Sequence, residues 1–374
     1  MSETPVQAAA VGPLGESVRS DLHVAYEPGS GPVAVRVAST VGYLYRDAIE
    51  TAARRVVDAF AVTTGTLTLT DAGALEWVIL ARVETCLRRA GLDGPPVLPL
   101  PDPHQGAPRQ RERLRRSRLY LPGNQPKLVL SAGLYEADAM ILDLEDSVPP
   151  AEKDSARILV RNALVALDFG GSERIVRVNQ GTLGEADLEA IAPHNVHLVL
   201  LPKVEDPETV RRVADRLRGL CGDRDAPLLM PILESPRGIF RALDIATADP
   251  LVAALTLGLE DLSAELGAPR SADGAESFLA RQTVVYAARA AGIQPIASVF
   301  SDVSDEAGLA AYVRRERALG FDGIGCIHPR QIPVVHREMT PTPVEVERAI
   351  KVVRAAREAE ALGLGVVSVG SKMV

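Results

Sequence analysis

The stretch ADAMILDLEDSVPPAEKDSAR (residues 137–157) sets an apolar run, Ala139 to Leu142, directly against three acidic residues, Asp143, Glu145 and Asp146. A segment of helical composition follows. This strand-then-helix pattern returns along the chain. Short apolar runs begin near Arg118 (RLYLPG), Ala139 (AMILDLED), Arg174 (RIVRVN), Val196 (VHLVLLPK), Pro227 (PLLMPILES), Ala254 (ALTLGLED), Gln294 (QPIASVF) and Gly323 (GIGCIHP). Eight alternations over roughly 250 residues predict an α/β fold of the (β/α)8 TIM-barrel type. A doubly wound sheet shares the alternation, but the count of eight favours the barrel. The last helix carries a capping box, with Thr342 as N-cap, Pro343 at N1 and Glu345 at N3. Its apolar face is expected to run through Val346, Ala349, Ile350 and Val353.

Upstream of the barrel, DGPPVLPLPDPHQGAPRQRERLRRS (93–117) is rich in Pro, Gly and Arg and predicts an extended linker over 92–113. A flexible linker of roughly 25 residues would span about 25–30 Å. Its basic run, Arg109 to Arg116, reads as a solvated linker end. Before it lies a small α+β unit. VAVRV (33–37) and TLTLT (66–70) alternate as half-buried strands should. YLYRDAIETAARRVVDAF places Ile49, Ala53, Val56, Val57 and Phe60 on one helical face, and ALEWVILARVETCLRRA reads as a second helix ended by Gly91.

Composition narrows the function. Apolar residues make up 47% of the 374 residues, enough for a large core, while aromatics at 4% argue against a base-stacking surface. The net charge of −8 removes any general attraction to nucleic acid or an anionic membrane. The N-terminus lacks the apolar core of a signal peptide, and no run approaches the length of a membrane span. Cys86, Cys221 and Cys326 are far apart and odd in number, which suits a reducing, cytoplasmic setting.

In barrels of this type chemistry sits where strands end. The runs close on Asp143, Glu145 and Asp146; on Arg177 and Asn179; on Lys203; on Glu234; on Glu260 and Asp261; and on His328. Each has a plain structural role open to it. Asp146 or Asp261 could cap the following helix, Arg177 could pair with Glu145 or Asp146, and Lys203 could reach solvent. Gathered on one rim, the like charges would repel unless a cation joined them. Carboxylates without a His or Cys cluster suit a hard cation such as Mg2+, for which Glu234 and Asp261 are the natural pair. Arg177 has the planar fork to hold a substrate carboxylate. Such a site suggests retro-aldol or retro-Claisen cleavage of an oxygenated acid thioester.

With these residues in place, 114–374 resembles the β subunit of citrate lyase, the citryl-CoA lyase family. The matching segments are LRRSRLYLPGN, DLEDSVPPAEKDSAR, IVRVN, LLPKVE, ILES, GLEDL, AARAAGI, LGFDGIGCIHPRQIPVV and GVVSVGSKMV, in order. The resemblance implies a Mg2+-dependent lyase that cleaves or forms β-hydroxyacyl thioesters such as citryl-CoA or malyl-CoA, giving a 2-oxo acid such as oxaloacetate. It implies a homo-oligomer, trimeric or hexameric. It implies metal ligation by Glu234 and Asp261, carboxylate binding by Arg177, and a place for Glu145 and Asp146 in or beside the metal shell. Pro122, Gly123 and Asn124 fall in the matching LPGN segment and are expected to contact substrate. Relatives continue past GSKMV with an aspartate that approaches a neighbouring subunit's site. The sequence given ends at Val374, so proton transfer is expected of Glu145, Asp146, Lys203 or a metal-bound water.

Residues 12–91 resemble the γ subunit of citrate lyase, its acyl carrier protein, most clearly over DAGALEWVILARVETCLRRA. That resemblance implies a serine bearing a CoA-derived prosthetic arm. Here GPLGESVRSD departs from the family's context, and the alignment gives Ser20 or Ser17. Two other readings stay open: a degenerate lyase subunit serving as carrier or scaffold, and a metal-dependent acyl thioesterase.

Overall fold

The computed structural model describes residues 6–102, 108–271, 273–363, 368–369 and 372–373. The N-terminal unit is built on four strands, β1 (Ala9–Val11), β2 (Leu22–Pro32), β3 (Ala34–Ser39) and β4 (Thr64–Asp71), in the order β1-β2-β4-β3. β2 runs antiparallel to β1 and β4, while β3 lies parallel to β4 across a helical connection, α1 (Gly42–Ala59). The helical face expected from the sequence forms as read, with Ile49, Ala53, Val56, Val57 and Phe60 all buried. A second helix, α2 (Glu76–Arg89), is buried along most of its length, far beyond one amphipathic stripe. A helix apolar or satisfied all round must be covered on both faces. One side of α2 meets the sheet, and the other meets helix Lys153–Ala166 of the second unit.

Polar groups lock that junction. Arg82 lies buried, with Nε and Nη2 donating to Asp21 at 2.9 and 2.6 Å and Nη1 to Ser155 Oγ at 2.8 Å. Arg161 donates twice to Glu84, at 3.0 and 2.7 Å, with both groups out of water. Arg89 pairs with Asp154 at 2.6 Å nearer the edge. A swinging unit on a flexible tether is therefore not what the fold provides. Separation would leave the buried Arg161 without the carboxylate that pairs with it.

The rest is a closed barrel of eight parallel strands, as the alternation predicts. In chain order these are β5 (Ser117–Pro122), β6 (Ala139–Asp143), β7 (Glu173–Arg177), β8 (Leu198–Leu201), β9 (Leu228–Leu233), β10 (Ala254–Leu257), β11 (Gln294–Ala297) and β12 (Gly323–Cys326). β12 closes on β5 through Ile324↔Ser117 and Cys326↔Leu119. Inward-facing Ile141, Ile175, Leu198, Leu200, Leu228, Met230, Ile232 and Ile296 fill the barrel, the layered branched packing such barrels use.

Two expectations are corrected here. The basic run is solvated only in part, and its arginines are tied to the barrel. Arg115 is fully buried against Glu173, Arg113 donates to the carbonyls of Asp138 and Gly171, and Arg111 donates to those of Pro250 and Val252. These arginines satisfy backbone acceptors at the strand starts, which an alternation-based reading does not weigh. The helix Pro343–Ala361 has its capping box, but Val346, Ile350 and Val353 are about half exposed, and Ala359 alone is buried. No helix of the described residues is long and apolar enough to cross a membrane.

Candidate active site

The acidic tip of the opening stretch divides in two. Asp143 ends β6 and turns back into the protein. It accepts from Arg177 Nε and Nη2 at 2.7 Å each, from the backbone N–H of Glu145 at 2.9 Å, and from the Ser147 hydroxyl. Burial alone would raise its pKa, but the Arg177 guanidinium holds it below the usual carboxylate range. Glu145 is buried too, while Asp146 is exposed. Arg177 Nη1 reaches Glu145 Oε2 at 2.9 Å and Asp146 Oδ2 at 3.3 Å. Arg177 thus serves three carboxylates. Burial works against its charge, but Asp143 and its neighbours raise its pKa well above the ordinary value.

Across the mouth, Glu234 follows β9 and is largely buried, and Asp261 lies in the first turn of helix Leu259–Leu266 after β10. Lys203, just beyond β8, stands between the two sides. Its Nζ lies 3.4 Å from Asp261 Oδ2 and 3.8 Å from Glu145 Oε1, and its backbone N–H donates to Glu234 Oε1 at 2.7 Å. That backbone bond accompanies a φ of 52° at Lys203, a left-handed conformation that non-glycine residues seldom adopt. Gly258 lies against Glu234. A Cβ there would sit 2.5 Å from Glu234 Oε2, so the backbone can pass the carboxylate only because the position is glycine.

The electrostatics show an excess of acid. Burial, then the neighbouring Asp146, raises the Glu145 pKa to about 7. Burial raises Glu234 to about 7 too, with Asp261 and Glu145 adding to the effect. The Lys203 ammonium is the local cation. Burial lowers its pKa, but Glu145, Asp146 and Asp261 together raise it. Among the described residues no three His, Cys, Asp or Glu side chains converge as a finished metal cage. One or two carboxylates with open positions is what Mg2+ takes from a protein, so Glu234 and Asp261 fit a hard divalent cation.

Of these groups Asp143, Asp146, Arg177, Glu234 and Asp261 line a pocket of about 390 Å³, with Tyr120, Glu260 (paired with Arg270) and, at its floor, Arg118. Other residues named from the sequence lie elsewhere. Asn179 is buried against Asp187. His328 Nδ1 accepts from the Arg330 N–H within a turn. Gly123 donates its N–H to the Asp143 carbonyl at 2.8 Å, beside Pro122 at the end of β5. Asn124 donates to Glu152 at 2.6 Å and lines a separate cavity of about 590 Å³ shared with the N-terminal unit. Ser17 and Ser20 lie on the β1–β2 loop, whose Val18, Arg19 and Asp21 line the same cavity. Ser17 is exposed; Ser20 is half-buried at φ 55°. Arg118, Tyr120, Thr256 and Ser298 were not singled out in the sequence. The alternation in RLYLPG does place Arg118 on the face shared with Tyr120, and that signal could have found it.

A barrel with an acid-rich mouth is common to several chemistries, and comparison decides among them. The profile described as HpcH/HpaI aldolase/citrate lyase matches residues 116–329. The chain belongs to this family. Within the HpcH/HpaI aldolase/citrate lyase family, the citrate lyase subunit beta of Escherichia coli K12 is 41% identical over 271 residues, 71% of this chain and 90% of the relative. The mitochondrial citramalyl-CoA lyase of Mus musculus is 35% identical, covering 70% and 81% of the two chains. The (3S)-malyl-CoA thioesterase of Cereibacter sphaeroides is 36% identical, covering 69% and 89%. CitE from Mycobacterium tuberculosis, solved with magnesium, acetoacetate and coenzyme A, superposes with a TM-score of 0.57 at 34% identity. That match covers 71% of this chain and 94% of CitE. This member of the HpcH/HpaI aldolase/citrate lyase family is a carbon–carbon lyase. Its N-terminal residues 7–90 match an acyl-carrier profile described as malonate decarboxylase delta subunit, in keeping with the acyl-carrier likeness read from the sequence.

Proposed function

We propose that the protein is a Mg2+-dependent lyase that cleaves, or in reverse forms, a β-hydroxyacyl thioester such as citryl-CoA or malyl-CoA. The observation that carries this reading is the meeting of Glu145, Glu234 and Asp261 around Lys203 at the strand ends. Glu234 and Asp261 would hold the metal, which supplies the positive charge that steadies a 2-oxo acid's oxygens. Arg177 keeps Asp143, Glu145 and Asp146 in place and turns its Nη1 edge towards the mouth, where a substrate carboxylate can share it. Cleavage needs a base for the β-hydroxyl proton. As that proton leaves, the C–C bond breaks and its electron pair passes to the thioester enolate, which then takes up a proton. The Glu145 carboxylate, its pKa raised to about 7, would accept the first proton near neutral pH. Lys203, between Glu145 and Asp261, offsets the charge that develops as it does so.

Acyl-CoA and an oxo acid are the proposed ligands, and the family likeness supports both. A homo-oligomer is proposed too, supported by the exposed Val344, Val346, Ile350 and Val353 of helix Pro343–Ala361. A hydrolytic reading draws support from the thioesterase relative. The two differ in product: cleavage of malyl-CoA gives a 2-oxo acid and acetyl-CoA, while hydrolysis gives malate and free CoA. Incubation with citryl-CoA and malyl-CoA, with and without Mg2+, should release a 2-oxo acid only with the metal. Asp261→Asn and Glu234→Gln should each weaken Mg2+ binding more than tenfold by calorimetry while unfolding stays cooperative. Unchanged metal affinity in both would reject the ligand assignment.

A further inference from the structure

Two guanidinium groups line the barrel pocket, and they are not alike. Arg177 is engaged by three carboxylates. Arg118 lies deeper, four residues before Pro122, the β5 residue in register with Asp143 and through it with Arg177; it is 1% exposed and, among the described residues, forms no ion pair. Its Nη1 faces Met230 Sδ at 3.1 Å. Its Nη2 donates to Thr256 Oγ1 at 3.1 Å and to the Ala297 carbonyl at 3.2 Å. Its buried Nε–H has no acceptor. A carboxylate is not hard to place near a buried arginine: at the barrel's other end Arg115 has Glu173. Leaving Arg118 uncompensated is therefore expensive, and such a charge calls for an anion from outside the fold.

The surroundings admit one. The pocket reaches Arg118 past Thr256 on β10 and past Gly258 and Ser298 just beyond the ends of β10 and β11, all small side chains. Above it lies an acid-rich mouth that repels anions unless a cation is bound there. An acid held at the mouth by its 2-oxo carboxylate would point its remaining chain down the barrel. A carboxylate on that chain would meet Arg118.

We propose that Arg118 recognises a second carboxylate, so that the substrate is a thioester whose cleavage yields a dicarboxylic rather than a monocarboxylic 2-oxo acid. This rests on the lyase reading above. It makes Arg118 a specificity-determining residue at the floor of the pocket, with Thr256 and the Ala297 carbonyl fixing the orientation of its guanidinium.

The test compares two thioesters that differ only in CH2COO− against CH3 on the hydroxyl carbon, citryl-CoA and citramalyl-CoA, on the full-length Mg2+-loaded enzyme. The wild-type protein should show a kcat/KM at least 30-fold higher for citryl-CoA. Arg118→Met, close in volume and apolar, should bring the ratio to about one, mainly through KM for citryl-CoA. A wild-type ratio near or below one overturns the proposal while leaving the lyase reading intact, and that measurement needs no variant to fold. Retention of the preference in a folded Arg118→Met overturns it as well. If neither thioester is cleaved, both readings fall together.

Discussion

Arg177 and Asp143 meet edge to edge, with Nε and Nη2 each 2.7 Å from a carboxylate oxygen. The pair joins β6 to β7 at the lip of the barrel, and the remaining Nη1 orients Glu145 and Asp146. Position and charge at the mouth therefore depend on one planar group. Arg177→Lys keeps the charge but not the fork. Loss of the paired charged hydrogen bonds should lower stability by about 1.5–3 kcal/mol and weaken 2-oxo acid binding. Urea unfolding with an unchanged midpoint, together with unchanged oxaloacetate affinity, would reject the role.

Glu145 and Glu234 make the mouth pH-sensitive. Both have pKa values raised from 4.5 to about 7, so the folded protein binds protons there that the unfolded chain releases. The stability they contribute is fully present below about pH 4.5 and is lost as pH rises through about 7. Mg2+ requires the ionised forms, so its affinity should rise across the same window and its binding should release protons. Thermal melts at pH 5.5 and 8 should show little Mg2+ stabilisation at the lower pH and a clear gain at the higher. Equal gains at both would contradict the raised values.

The junction between the two units is a second testable pair. Glu84 and Arg161 are buried together, and the Val97 N–H donates to the same carboxylate at 3.0 Å. Glu84→Gln would leave Arg161 without its counter-charge, a loss of about 3–5 kcal/mol for a buried pair. The N-terminal unit should then loosen, and trypsin should cut sooner among the arginines of 109–116. Protease resistance equal to wild type would show that the contact is dispensable.

The barrel was legible because its signal is periodic. Eight apolar runs ending in polar residues survive any error of two or three residues at their boundaries. Asp143 and Arg177 could be placed on one rim from the same runs, but not paired, since pairing depends on which side chain turns inward. Arg118 was missed for a related reason: a single arginine in an apolar run is usually an edge residue, and only closure of β12 on β5 places it inside. The linker arginines were misread because their acceptors, such as the carbonyls of Pro250 and Asp138, lie on strand starts distant in sequence. The exposed face of Pro343–Ala361 reads as core in sequence because periodicity reports amphipathicity and not the identity of what covers it.

The last prediction concerns the carrier-like unit. A working carrier presents a modified serine and moves its cargo. Here the loop bearing Ser17 and Ser20 adjoins Asp21, which Arg82 ties to the barrel's Ser155, so the unit is fixed beside the barrel. Any reach would have to come from an attached arm alone. Ser17 is exposed enough to be modified, but Ser20 is half-buried, and its N–H is bonded to the Ala72 carbonyl at 3.0 Å. With the serine context also altered, the unit is expected to act as a docked structural element, and free acyl-CoA is expected to turn over directly. Tethering would instead raise the local acyl concentration towards the millimolar range and make free thioesters poor substrates. Intact-mass measurement on protein from its native host should therefore give the unmodified chain. Trypsin cuts after Arg19 and separates the two serines, so an added phosphodiester-linked group on either peptide would be assigned at once. Finding one, with poor turnover of free acyl-CoA, would restore the carrier mechanism.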